Sequence, residues 1–267
     1  MLSKWIFTIF ISILILPGYG YCATVGASDL VLDGSLISLA LEYDYIADRD
    51  FKSDDFSSGE IEEQSSIYLV FSIRPKERDY LTVYGKFGAT EFETRLDLNS
   101  GAELFENYGI GTLLGGGFRI DHKLVPKVTV SMDNQFNWFS CDADQIRFLE
   151  AESNTPSGRA TAFEYQISGI VSYKIDWESM IHPAHGEFPF FQPYAGIKFA
   201  HLDMDSNARG AGPGFDIAAP ADRKNGDKFG MFGGVELGII NAPNLRGNLE
   251  VRFLDEFGAS GKLTYSF

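Results

Sequence analysis

Cysteine is almost missing from this chain: Cys22 and Cys141 are the only two in 267 residues. If Cys22 leaves with an export leader, Cys141 has no partner and no intramolecular disulfide can form. Basic residues are also scarce, 22 Lys and Arg against 37 Asp and Glu, for a formal net charge of −15. Binding to nucleic-acid phosphates needs basic patches, so this balance argues against nucleic acid as a partner. Beyond Leu16 there is no apolar run of the roughly 18 residues that a membrane-spanning helix requires. Histidine is rare as well. His182-Pro183-Ala184-His185 has ligand-like spacing, but Pro183 works against a helix that would align both rings. Glu187 is the one third ligand nearby, and no metal or cofactor is assigned. The acidic stretch "DRDFKSDDFSSGE" fails the calcium-loop pattern, with Lys52 at a ligand position and no Gly at the sixth. "GTLLGGGFRI" has no Lys-Ser or Lys-Thr after it and is no phosphate loop.

What is present begins with the N-terminus. Lys4 precedes the apolar run Trp5 to Leu16, and "PGYGYCATVGA" follows with breakers and small residues. That order of basic, apolar and small segments predicts a cleavable secretory signal peptide over residues 1–23, cut somewhere in 20–27. Tyr19 and Tyr21 stand where a lipoprotein signal wants Leu and a small residue, so lipidation of Cys22 is not assigned.

The exported part is rich in strand and turn formers: 23 Phe, 12 Tyr and 28 Gly, with 45% apolar residues. Its period is 2, not 3.6. Ile37, Leu39, Leu41, Tyr43 and Tyr45 share one face, against Ser38, Ala40, Glu42 and Asp44 on the other. From 162 to 175, Phe163, Tyr165, Ile167, Val171, Tyr173 and Ile175 oppose Glu164, Gln166, Ser168 and Lys174. Similar alternation covers 67–74, 81–87, 110–121, 128–138, 195–199, 229–239, 249–253 and 263–267, about ten strands in all. Polar loops are expected at about 47–63, 98–107, 141–160 and 204–227. The connections between them are mostly shorter, so long and short loops alternate.

A sheet with one apolar face hides that face in a core or turns it to lipid. The expected strand length, the alternation of loop lengths and the aromatics at strand ends favour lipid. Those aromatics include Tyr43, Phe136, Trp138, Phe163, Tyr173, Tyr265 and Phe267. The expectation is an all-β, antiparallel, up-and-down transmembrane β-barrel over 30–267, with about ten strands and eight as the alternative. A barrel in lipid must close, because an open edge leaves backbone groups unpaired.

The leader, the even set of strands and the terminal "LTYSF" resemble outer-membrane β-barrel proteins of the opacity-protein and outer-membrane-protein-A barrel type. Small barrels of that family have eight strands. The resemblance implies residence in a Gram-negative-type outer membrane. It implies that Leu263, Tyr265 and Phe267 form the C-terminal signal for the barrel assembly machinery. It also implies outer-membrane lipid and lipopolysaccharide as surroundings.

On the polar face the alternation places Glu42, Asp44, Arg74, Lys86, Arg119, Asp121, Asp133, Glu164, Lys174, Lys198, Glu236, Glu250, Arg252 and Lys262. Both signs are present. They fit either a lumen filled by paired side chains or a narrow porin-like path whose selectivity they set. No catalytic residue is assigned. One alternative is an outer-rim hydrolase: Asp142-Ala143-Asp144 and His201-Leu202-Asp203 echo the paired acids and His–Asp of omptin-type proteases, though their flanks do not match. The other is an adhesion or interaction role for the long loops.

Overall fold

The computed structural model describes residues 36–52, 58–98, 102–148, 151–153, 155–175, 191–212, 215–225, 229–239, 242–254 and 256–267. The expected signal peptide, Cys22 and the His182 to Glu187 segment lie outside them. The strands are β1 (Ile37–Lys52), β2 (Ser58–Ile73), β3 (Leu81–Asp97), β4 (Glu103–Val125), β5 (Val128–Phe148), β6 (Ala151–Glu152), β7 (Arg159–Tyr173), β8 (Phe191–Gly212), β9 (Phe215–Asn225), β10 (Phe229–Ile239), β11 (Ala242–Phe253) and β12 (Phe257–Ser266). The ladders between neighbouring strands are antiparallel.

The sheet closes on itself. β12 pairs with β1 from Ser38↔Ser266 to Asp48↔Phe257, and the Phe267 amide donates to the Ile37 carbonyl at 2.9 Å. Eleven strands make the wall, and the two-residue β6 hangs on β5. β10 and β9 follow one another along a single edge of β8. The ring is therefore ten strands around near the chain ends. Farther up, the β11–β12 hairpin stops, and β9 meets β1 directly at Phe51↔Asn225 and Lys52↔Lys224. There the ring narrows to eight, and the wall as a whole has eleven strands against the ten expected from the sequence, β9 being a strand inside a segment expected as loop.

The lower rim, where both ends of the wall meet, has a tight turn between the paired Val125 and Val128. Above it runs an outward apolar band. Leu39, Leu69, Phe71, Val83, Phe87, Phe136, Ile167, Val171, Ile197 and Val251 are among its exposed members. On β5 the outward run extends from Val130 to Trp138, and on β7 from Phe163 to Tyr173. Each is about the nine to eleven residues that let a tilted strand cross a hydrocarbon layer. Asn134 interrupts the run on β5, and its amide donates to the Tyr165 hydroxyl at 2.7 Å.

Above the band the pattern inverts. Phe51, Ile61, Phe92, Leu96, Leu104, Tyr108, Ile146, Leu202 and Met204 point inward and form one buried cluster. The outward positions there carry Glu91, Arg95, Asp142, Asp144, Asp203 and Asp205. This corrects the expected loops. Strands run into all four segments at 47–63, 98–107, 141–160 and 204–227, and β1 to β5 are 16, 16, 17, 23 and 21 residues long. Their outward polar faces read as loop in the sequence. They are strand because their inward faces share an apolar core.

Candidate functional site in the barrel interior

Among the described residues, the interior brings many charged side chains together. Near the lower rim, Arg74 donates to Thr82 at 3.2 Å and to Asp121 at 3.3 Å, and Arg246 pairs with Glu236 at 2.6 Å. One layer up, Glu42 lies between Lys262 at 3.1 Å and Lys86 at 3.6 Å. Lys86 also donates to Gln135 at 2.9 Å and sits 5.0 Å from the Tyr68 ring centroid. Arg119 faces Asp133 at 3.8 Å.

Two tyrosines reach across a whole strand in this layer. Tyr84 on β3 passes over β4 and donates to Asp133 on β5 at 2.9 Å. It can do so because Gly117 of β4 lies beneath it; a Cβ there would stand 2.7 Å from the Tyr84 hydroxyl and 2.1 Å from the Asn134 carbonyl oxygen. Tyr194 on β8 likewise crosses β10 at Gly234 to reach Asn248 and Glu250 on β11, both at 3.0 Å. The glycines relieve crowding, and the crowding comes from tyrosines that tie next-nearest strands.

The next layer centres on Glu256 and Asp44. Glu256 accepts from Lys198, and the Arg252 and Arg49 guanidinium groups lie 3.3 Å and 3.9 Å from it. Arg252 also binds Asp44 at 2.5 Å, Tyr68 donates to Asp44 at 2.8 Å, and Arg49 pairs with Glu164 at 2.8 Å. In the upper cluster, Arg223 binds Glu106 at 2.6 Å, and Tyr108 donates to the same carboxylate at 2.8 Å.

Counted among the described residues, nine interior cations (Arg49, Arg74, Lys86, Arg119, Lys198, Arg223, Arg246, Arg252, Lys262) face nine anions (Glu42, Asp44, Glu106, Asp121, Asp133, Glu164, Glu236, Glu250, Glu256). The chain's surplus negative charge is not in this interior. Glu42, Glu106, Arg119, Arg223 and Arg252 are each 0% exposed, so no gap wide enough for water touches them. The chemistry of such a set is bracing: charges are neutralised in pairs, and tyrosine hydroxyls and amide groups add hydrogen bonds to Asp44, Asp133, Lys86 and Glu106.

Of the charged residues placed on the polar face from sequence, Lys174 is the exception. It lies past the end of β7, exposed, with its backbone amide on the Lys127 carbonyl at 2.8 Å, and belongs to the lower rim. Asp121 sits at the edge of the interior, half-buried. The others, Lys262 included, are buried inside the ring. Arg49, Glu106, Arg223, Arg246 and Glu256 went unread. Arg246 keeps the parity of Glu250 and Arg252 and was findable. A bulge between Ile46 and Asp48 shifts the parity of β1, which hid Arg49. Glu256 lies in a turn and carried no periodic signal. At the C-terminus, Tyr265 and Phe267 face outward in the band, their rings 4.9 Å apart and edge to face.

The acidic pairs weighed as a rim hydrolase project from the outer wall. Asp142 is paired with Arg159 at 2.7 Å, and that hydrogen bond holds its carboxyl below the usual carboxylate range. His201 is 3.8 Å from Asp203. Asp142 is level with Arg159, whose amide donates to Asn207, six residues along β8 from His201. At about 3.3 Å per residue this separates Asp142 from His201 by roughly 20 Å. The structure does not bring them together. Among the described residues, Asp48, Asp50 and Glu60 hold carboxylates within 4.8 Å of one another, and Arg95 already binds Glu60 and Glu62. Burial raises Asp48, Glu60 and Glu62 above the usual range, which Arg95 partly offsets. Cys141, buried at 3.4 Å from the Thr90 carbonyl oxygen, has its thiol pushed up to about 12 by burial and is inert.

No family model matches this chain, and no curated protein matches it. Among solved structures, it is similar to the translocator domain of autotransporter NalP from Neisseria meningitidis, at 10% identity and a TM-score of 0.46, covering 90% of this chain and 91% of that one. It is also similar to the transport unit of the autotransporter AIDA-I from Escherichia coli, at 12% identity and a TM-score of 0.40, covering 90% and 95%. The beta domain of the Bordetella autotransporter BrkA gives 9% identity and a TM-score of 0.40, covering 87% and 100%.

Proposed function

We propose that this chain is an integral outer-membrane β-barrel with a structural role, closed to solutes by its own interior. The observation that carries this reading is the pairing of an outward apolar band with an interior of balanced, water-excluded ion pairs. A porin keeps a water-filled lumen, whereas here arginines and glutamates fill the cross-section in successive layers. The reading includes export through the N-terminal leader, and insertion by the barrel assembly machinery through Leu263, Tyr265 and Phe267. It places lipopolysaccharide around the upper wall. It assigns no catalytic activity.

Two measurements test it. Heat-modifiable migration on a detergent gel is expected of a closed membrane barrel, and its absence would overturn the membrane reading. In planar bilayers the purified protein should give no unitary conductance. Steady ohmic channels would replace the closed barrel with the narrow-pore alternative.

A further inference from the structure

Asn134 stands on the outer wall at the middle of the apolar run of β5, four residues below Trp138 and four above Val130. At about 3.3 Å per residue it lies roughly 13 Å along the strand from either end of that run. Its register partners are Phe118 on β4 and Ile167 on β7, and Met132 and Phe136 flank it on its own face of β5. All four are exposed. Asn134 is half-buried, and so is Tyr165, whose hydroxyl its amide reaches at 2.7 Å. In register with Tyr165 stands His201, which faces Asp203 at 3.8 Å. A polar streak thus descends the outer wall from above the band, and Asn134 is its deepest point.

One hydrogen bond does not satisfy this pair. The Asn134 amide carries two hydrogens, and Tyr165 takes one of them. The second amide hydrogen, the Asn134 carbonyl oxygen and the Tyr165 hydroxyl hydrogen have no other partner among the described residues. Hydrocarbon offers such groups nothing to bond to. Polar side chains at membrane depth accordingly face other protein or a watery cavity.

The wall is hollowed on both sides of β5. Gly116 of β4 is in register with Gly85 and with Phe136, and a Cβ on Gly85 would meet no atom within 4 Å. On β7, Gly169 is in register with Met132, and a Cβ there would meet only Ile197, at 3.9 Å. Met132 and Phe136 stand as ridges between these low points. Small residues beside large ones let two walls approach closely.

We propose that this face of β4, β5 and β7 docks a second copy of the chain within the bilayer. It carries donors and an acceptor side by side, so it is self-complementary, as an interface about a two-fold axis requires. Both copies insert in the same sense, so the axis runs along the membrane normal and Asn134 meets its counterpart at the same height. Each Asn134 donates its second amide hydrogen to the carbonyl oxygen of the other, a reciprocal pair shielded from water. The interface rests on the membrane placement proposed above and would be lost with it.

The test joins sedimentation equilibrium of the full chain in a density-matched neutral detergent, over a range of protein-to-detergent ratios, to cysteine cross-linking in lipid vesicles. The unaltered protein should exchange between monomer and dimer. Asn134→Leu should weaken the dimer about tenfold, the effect of two symmetry-related hydrogen bonds in a membrane, with heat-modifiable migration unchanged. In a Cys22→Ser, Cys141→Ala background, Asn134→Cys should cross-link to its counterpart in a second copy. Leu41→Cys, exposed on β1 across the ring, should not. A monomer at every ratio, its face covered by detergent or lipid, overturns the interface and leaves the barrel standing. So does a dimer that Asn134→Leu does not weaken, or one that cross-links equally through Leu41→Cys. Loss of heat-modifiable migration in the unaltered protein overturns both.

Discussion

Arg252 of β11 donates to Asp44 of β1 at 2.5 Å, across a sequence separation of 208 residues and over the intervening strand β12. Both side chains are almost fully buried. The contact spans the seam where the two ends of the sheet meet, so it couples ring closure to charge neutralisation.

Replacing Arg252 by Met leaves Asp44 as a buried anion with a tyrosine hydroxyl as its main partner. Loss of one member of a buried ion pair costs about 3–5 kcal/mol. The urea midpoint of the refolded barrel should fall accordingly. Adding Asp44→Leu should recover part of the loss, because the anion stranded on β1 is then gone, while Glu256 keeps Lys198 and Arg49 as partners. A double variant no more stable than Arg252→Met would show that the pair acts through something other than mutual neutralisation.

The two crossing tyrosines make a separate prediction. Gly117→Val places a side chain where the Tyr84 hydroxyl passes. Overpacking of this kind costs about 1–3 kcal/mol. Tyr84→Phe removes the donor to Asp133 and should also cost about 1–3 kcal/mol. Combined, the two should cost less than their sum, since the residues share one contact. Additive losses in a double-mutant cycle would separate the glycine from the tyrosine.

Acid affects the upper wall in two opposite ways. Arg159 lowers the Asp142 carboxyl, so that pair contributes above the ordinary carboxylate pKa and its contribution is lost as pH falls through the lowered value. Burial raises Asp48, Glu60 and Glu62, so the fold favours their neutral forms, and this contribution is lost as pH rises through the raised values. In a carboxyl-carbon NMR titration from neutral to acid, Glu60 and Glu62 should titrate first and Asp142 last. Arg159→Ala should return Asp142 to the ordinary range. The reverse order would remove the ion pair as the cause.

At the other end, Phe267 keeps its amide on the Ile37 carbonyl and its ring against Tyr265. Deleting it removes one closing hydrogen bond and one aromatic from the lower band. The folded, heat-modifiable fraction recovered from membranes should drop severalfold, whereas refolding of the purified chain in detergent should change little. Equal losses in both would place the effect in stability and not in assembly.

The lower half of the fold was legible because its physics is simple. Where one face is an exposed apolar band and the other holds ion pairs, alternation is clean, as in Leu39, Leu41 and Glu42, Asp44. The upper half was not, for two reasons. Its outward residues are charged and its inward residues are widely spaced apolar ones, so segments such as Asp142 to Phe148 read as loop. Bulges then shift the parity, as between Ile46 and Asp48 on β1 and between Tyr108 and Thr112 on β4. Alternation cannot follow a strand through a step it does not encode. The same shift separates the visible charges, such as Glu42 and Asp44, from the hidden Arg49.

The inversion of the pattern between the two halves also bears on the order of assembly. Phe92, Leu104, Tyr108 and Leu202 leave water by meeting one another, whatever surrounds the wall. On the membrane placement proposed above, Leu69, Phe87, Val171 and Ile197 leave it only when a bilayer arrives. The upper half can therefore condense in the aqueous compartment, and the lower half is waiting for its solvent. A nascent chain of this kind would meet the membrane with one end already shaped and the other end still sticky.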